Sequence, residues 1–145
     1  MNFLLKKIAP LFFLGILLIS SCAQTNISKL EGSWKLVWIN DLADTDIYVW
    51  QFEAGELTII RYQPSSPNTP EIAARAQYKT SSEFLDAKVT ISGFLQSGAT
   101  GDANAMLSNG AWTIDKISNE YMRLSTTDQE GSGGSYVIRE FERAQ

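Results

Sequence analysis

The chain has 145 residues, with 12 Lys and Arg against 16 Asp and Glu, no His and a single Cys. That inventory excludes an intramolecular disulfide and any imidazole-based triad or metal site, and a net charge of −4 without a basic cluster argues against a phosphate-backbone partner. The length suits one domain with one core.

Met1 to Lys7 form a short basic start, and Ile8 to Ile19 an apolar run of about a dozen residues, below the roughly 20 that span a bilayer. Ile19-Ser20-Ser21-Cys22 follows, and it resembles the bacterial lipobox, in which small residues admit the peptidase and the cysteine thiol receives a diacylglyceryl group. The expected organisation is therefore a lipoprotein signal peptide over residues 1–21, a lipidated tether over 22–29 and a folded domain over 30–145. The alternative is an ordinary signal peptide, or an uncleaved anchor, with an incidental Cys22. Without Lys6 and Lys7 the exported part carries 10 basic and 16 acidic residues, a net charge of −6. Ala23, standing where an Asp would favour inner-membrane retention, implies an outer-membrane address.

From Leu30 onward, short alternating apolar runs are separated by Gly, Pro, Asn, Asp and Ser. Trp34, Leu36 and Trp38 are expected on one face of a first strand, and Tyr48, Trp50 and Phe52 on one face of a second. Glu53-Ala54-Gly55-Glu56 reads as a hairpin turn into a third strand, Leu57 to Gln63. Pro64, Pro67 and Pro70 predict a loop over residues 64–70, with a helical turn beginning at Ile72 and a strand from Ala74 to Thr80. A strand around Lys88 to Ser92 is followed by a Gly-, Ser- and Asn-rich stretch, Gln96 to Asn109. Strands at Ala111 to Asp115, Tyr121 to Thr126 and Ser135 to Arg143 are joined by turns at Asn119-Glu120 and Gly131 to Gly134. Eight strands with short connections predict an all-β, eight-stranded antiparallel up-and-down barrel.

The opening of the first strand, Leu30-Glu31-Gly32-Ser33-Trp34-Lys35-Leu36, resembles the G-x-W start of lipocalins and the wider calycin group. The close of the chain, from Ala111-Trp112-Thr113-Ile114 through Met122-Arg123-Leu124 to Phe141-Glu142-Arg143, looks like the small lipocalin-like lipoproteins of Bacteroidetes. The resemblance implies that Gly32 and Trp34 close one end of the barrel and that Arg143, or alternatively Arg139, packs over the Trp34 indole.

Catalytic chemistry has little material. Asp41, Asp44 and Asp46 lack the Gly and distal Glu of a calcium loop, Gly131 to Gly134 lacks the Lys-Ser/Thr of a phosphate loop, and the spacing of Glu83, Asp86 and Asp115 implies no acid–base pair. The expectation is a non-enzymatic, cofactor-free barrel that holds a small hydrophobic or amphiphilic ligand against Trp38, Trp50, Tyr78 and Trp112. By strand alternation Arg139 shares a face with Val137 and Phe141, which would carry its guanidinium inside to meet a ligand carboxylate. Intracellular lipid-binding relatives of the calycins use an arginine in this way. Close packing of the same residues, with loops serving a protein partner, is the competing reading.

Overall fold

The structure, a computed structural model, describes residues 27–39, 46–83, 86–96, 109–127 and 136–145. Eight strands follow in chain order: β1 (Gly32–Ile39), β2 (Ile47–Glu53), β3 (Glu56–Gln63), β4 (Ser66–Glu83), β5 (Asp86–Gln96), β6 (Gly110–Ile117), β7 (Tyr121–Thr126) and β8 (Val137–Arg143). Each pairs antiparallel with the next, and β8 returns to β1, so the sheet closes into a barrel with no outer strand.

Alternation sorts the side chains. On β2, Tyr48, Trp50 and Phe52 are buried while Ile47, Val49 and Gln51 face out; on β8, Val137, Arg139 and Phe141 are buried while Ile138 and Glu140 are less so. Leu57 and Ile59 of β3, Val89 and Ile91 of β5, Trp112 of β6, and Met122 and Leu124 of β7 join them in the core.

The β2–β3 connection is a two-residue turn in which both Ala54 (φ 50°) and Gly55 (φ 86°) have positive φ, the type I′ geometry whose twist matches the flanking strands. The Gly55 carbonyl accepts a 2.8 Å bond from the Tyr78 backbone N–H, which ties the turn to β4.

Two expectations from the sequence are corrected. Residues 66–70 belong to β4 and are not loop, the turn being confined to Pro64-Ser65, and the segment from Ile72 continues as strand with no helical turn. Proline is excluded from a ladder only where its missing N–H is needed. The β3–β4 register passes directly from Arg61↔Glu71 to Gln63↔Ser66, so Pro67 and Pro70 fall at a skip where β3 asks for no donor. The alternation of Trp34, Leu36 and Trp38 is likewise interrupted, by a shift at Val37: Leu36 is opposite Phe141, but Trp38 is opposite Glu140.

The up-and-down order sends the two barrel ends to different parts of the chain. One end, the base, gathers the entry into β1, the 54–55 turn, the 118–120 turn and the C-terminus. The other, the mouth, receives the end of β1, the 64–65 turn and the start of β8.

Candidate functional site

At the base, Leu30 lies under the barrel at 1 % exposure, held by a one-turn bend in which its N–H donates to Ile27 O at 3.1 Å. Trp34, wholly buried, donates from Nε1 to Leu30 O at 2.8 Å. The Arg143 guanidinium carbon sits 3.9 Å from the Trp34 ring centroid. Its nitrogens reach three backbone carbonyls: Nη1 to Glu31 at 2.8 Å, Nη2 to Lys29 at 3.2 Å and Nε to Asn119 at 3.1 Å. A planar fork of donors satisfies several acceptors from one position while its face lies on the indole. Gly32 makes room for this: its φ is +114°, and a Cβ there would land on Arg143 Nη1. Gly32, Trp34 and Arg143 thus form one closed base, and Arg143, not Arg139, is the arginine over Trp34.

Above the base, aromatic rings meet through the barrel axis. Tyr78 is edge-on to Phe52 at 5.1 Å between centroids, Phe52 lies 6.1 Å from Trp50, and Trp50 lies 5.1 Å from Phe141. Trp50 also meets Trp112 edge-on at 6.4 Å, a contact across the barrel from β2 to β6. Arg139, wholly buried, places its guanidinium carbon 5.0 Å from both the Trp50 and the Trp112 ring centroids. Two indole faces stabilise a desolvated cation through their quadrupoles.

Of the ligand-binding residues expected from sequence, Trp50, Trp112 and Arg139 are brought together in this upper layer. Tyr78 stands apart, one layer toward the base, where its hydroxyl donates to Glu31 Oε1 at 2.9 Å. Burial first, and then the Glu31 carboxylate, push the Tyr78 phenol above its ordinary pKa of 10.0. The side chain of Trp38, and Cys22, Asp41, Asp44 and the 131–134 turn, lie outside the described residues. Asp46 faces Arg61 and Asp115 faces Arg123, and among the described residues no group of three or more potential metal ligands gathers.

Arg61 is a mouth residue that the sequence reading passed over. It continues the Leu57–Ile59 face, stands opposite Tyr48, and its Nη2 lies 2.8 Å from Glu71 Oε2, with Nε 3.8 Å from Asp46 Oδ2. The parity of 57, 59 and 61 on a strand was the signal available for it.

No protein family, curated protein or solved structure matches the chain.

Taken as chemistry, the arrangement offers a permanent cation at the top of an aromatic column, below a mouth carrying Tyr48, Thr126 and Val137.

Proposed function

We propose that the chain is a cell-envelope lipoprotein, lipidated on Cys22 and held at the outer membrane, whose lipocalin-like barrel binds a small amphiphilic molecule at its mouth. The observation that carries this reading is Arg139. It is a wholly buried guanidinium whose carbon lies 5.0 Å from both the Trp50 and the Trp112 centroids, and a cation set among aromatic rings is the chemistry that suits the acidic head and the apolar portion of an amphiphile.

The test is native mass spectrometry of the mature acylated protein in detergent, against the same sample denatured. The expected result is a small adduct lost on denaturation; after stripping, a fatty acid rebinds, and Arg139→Gln weakens the acid at least tenfold more than the corresponding alcohol. A protein still bare after incubation with lipid extract sinks this reading.

A second reading is favoured by a different observation. The Trp50–Trp112 contact occupies the middle of the barrel, and side chains 64–72 at the β3–β4 tip are all exposed. A filled barrel with an ordered hairpin at its mouth suits a protein partner met through that hairpin. Retention of a specific envelope protein by the intact chain, lost on deletion of residues 66–70, would support it.

A further inference from the structure

The outer wall is not uniform. On the face opposite to the core, Ile47 pairs with Tyr62, and Val49 pairs with Ile60, which in turn pairs with Ile72. Antiparallel partners share a face, so these five side chains form two adjoining rows on the outside of β2, β3 and β4. Val37, at the β1 irregularity, is 42 % exposed, as is Ile47, and Ile72 is 40 % exposed. Toward the base, the adjoining outer surface of β4 and β5 presents Arg75, Gln77, Lys79, Lys88 and Thr90, with Leu95, 73 % exposed, standing opposite Arg75 near the mouth.

We infer that this apolar wall rests on the surface of the bilayer that holds the lipid, so that the barrel lies on its side with its mouth near the headgroups. The inference depends on the proposed acylation of Cys22. Four residues stand between Cys22 and Ile27, five steps along the chain, and an extended chain covers at most about 3.6 Å per step, so the base stays within roughly 18 Å of the lipid. The chain leaving that tether becomes β1, which borders the apolar rows. Lys35, opposite Val49 on β2 and Glu142 on β8, sits at their base-ward end. Of the acids beside the rows, Asp46 and Glu71 face Arg61 and Glu142 stands opposite Lys35, so each has a cation for a neighbour and the wall presents little net charge to the lipid.

Size separates a bilayer from other occupants. Six partly exposed side chains fall short of the roughly 800 Å² per partner that a stable dimer buries. A surface already tethered works at an effective concentration in the millimolar range, where a weak contact is enough. A small apolar wall with a Tyr at headgroup level fits that second case.

The experiment uses the full mature chain in vesicles of phosphatidylethanolamine and phosphatidylglycerol containing doxyl-labelled lipid. Single cysteines Ile72→Cys, Thr90→Cys and Glu120→Cys carry a bimane label, Cys22 being blocked by its thioether, and circular dichroism checks the fold of each. The expected result is quenching at Ile72 several-fold above that at Thr90, reduced by Ile47→Glu. Equal quenching at Ile72 and Thr90, or strongest quenching at Glu120 as an upright barrel would give, overturns the inference. Quenching at Ile72 that appears only at high protein-to-lipid ratio points to a second copy and overturns it too. Intact mass reports acylation of Cys22 separately: an unlipidated Cys22 ends the anchor reading, whereas a lipidated chain without the Ile72 contrast ends only this one.

Discussion

Arg143 lies flat on Trp34 at 3.9 Å while bonding the Glu31 carbonyl, 112 residues earlier in the chain. One guanidinium therefore joins the last strand, the residues before the first strand and the β6–β7 turn. Arg143→Lys keeps the charge but has one nitrogen for three carbonyls. We expect it to cost roughly 1–2 kcal/mol, read as a lower urea midpoint with an unchanged slope.

The 54–55 turn is built with the less suitable first residue. Ala54 holds φ 50°, a conformation that costs a Cβ-bearing residue about 1 kcal/mol and that Asn tolerates better. Ala54→Asn should stabilise the domain by about 0.5 kcal/mol, seen as a small rise in Tm, whereas Gly55→Ala should lower it.

Tyr78 gives stability an alkaline limb. Its folded pKa is raised, by burial first and by Glu31 next, so the stabilisation it contributes is fully present below pH 10.0 and is lost as pH rises through the higher folded value. Tyr78→Phe should cost about 1 kcal/mol near neutrality for the lost bond to Glu31. That gap should narrow in denaturation series run above pH 10, and a constant gap across the whole range would count against the assignment.

The contact between Trp50 and Trp112 is measurable as coupling. These rings meet edge-on across the interior, so a double-mutant cycle with Trp50→Phe and Trp112→Leu should give an interaction of about 0.5–1.5 kcal/mol. Additive losses would mean that the two rings line separate walls of an open space.

Much of this was readable from the sequence, and the failures have a common physical cause. The inward faces of β2 and β8 followed from alternation alone, and parity carried Arg139 inside with Val137 and Phe141. What misled was position-specific: Pro67 and Pro70 read as strand breakers because nothing local reveals that the β3 register skips past them. Trp34, Leu36 and Trp38 likewise read as one unbroken alternation, although the shift at Val37 changes which residues stand opposite Trp38 and Ile39. Bulges and skips are decided by the partner strand, so a single strand's pattern does not show them. The Trp50–Trp112–Arg139 group was legible as a set of interior residues; that they touch one another depends on barrel diameter, which no residue encodes.

Every ladder in the barrel joins neighbours in sequence except the β1–β8 seam, whose base ends in a 3.0 Å bond from the Ala144 N–H to the Ser33 carbonyl. Both ends of the folded chain leave from that seam. A pull applied between them opens the seam from its base, where the Ala144–Ser33 bond and the Arg143 bonds to the Lys29 and Glu31 carbonyls are loaded first. Mechanical resistance along that direction is therefore set by a few bonds in sequence and not by the whole sheet at once. A chain loaded through β1 alone meets the opposite case, because β1 is held by β2 over Gly32 to Lys35 and by β8 over Trp34 to Ile39 and must shear past both.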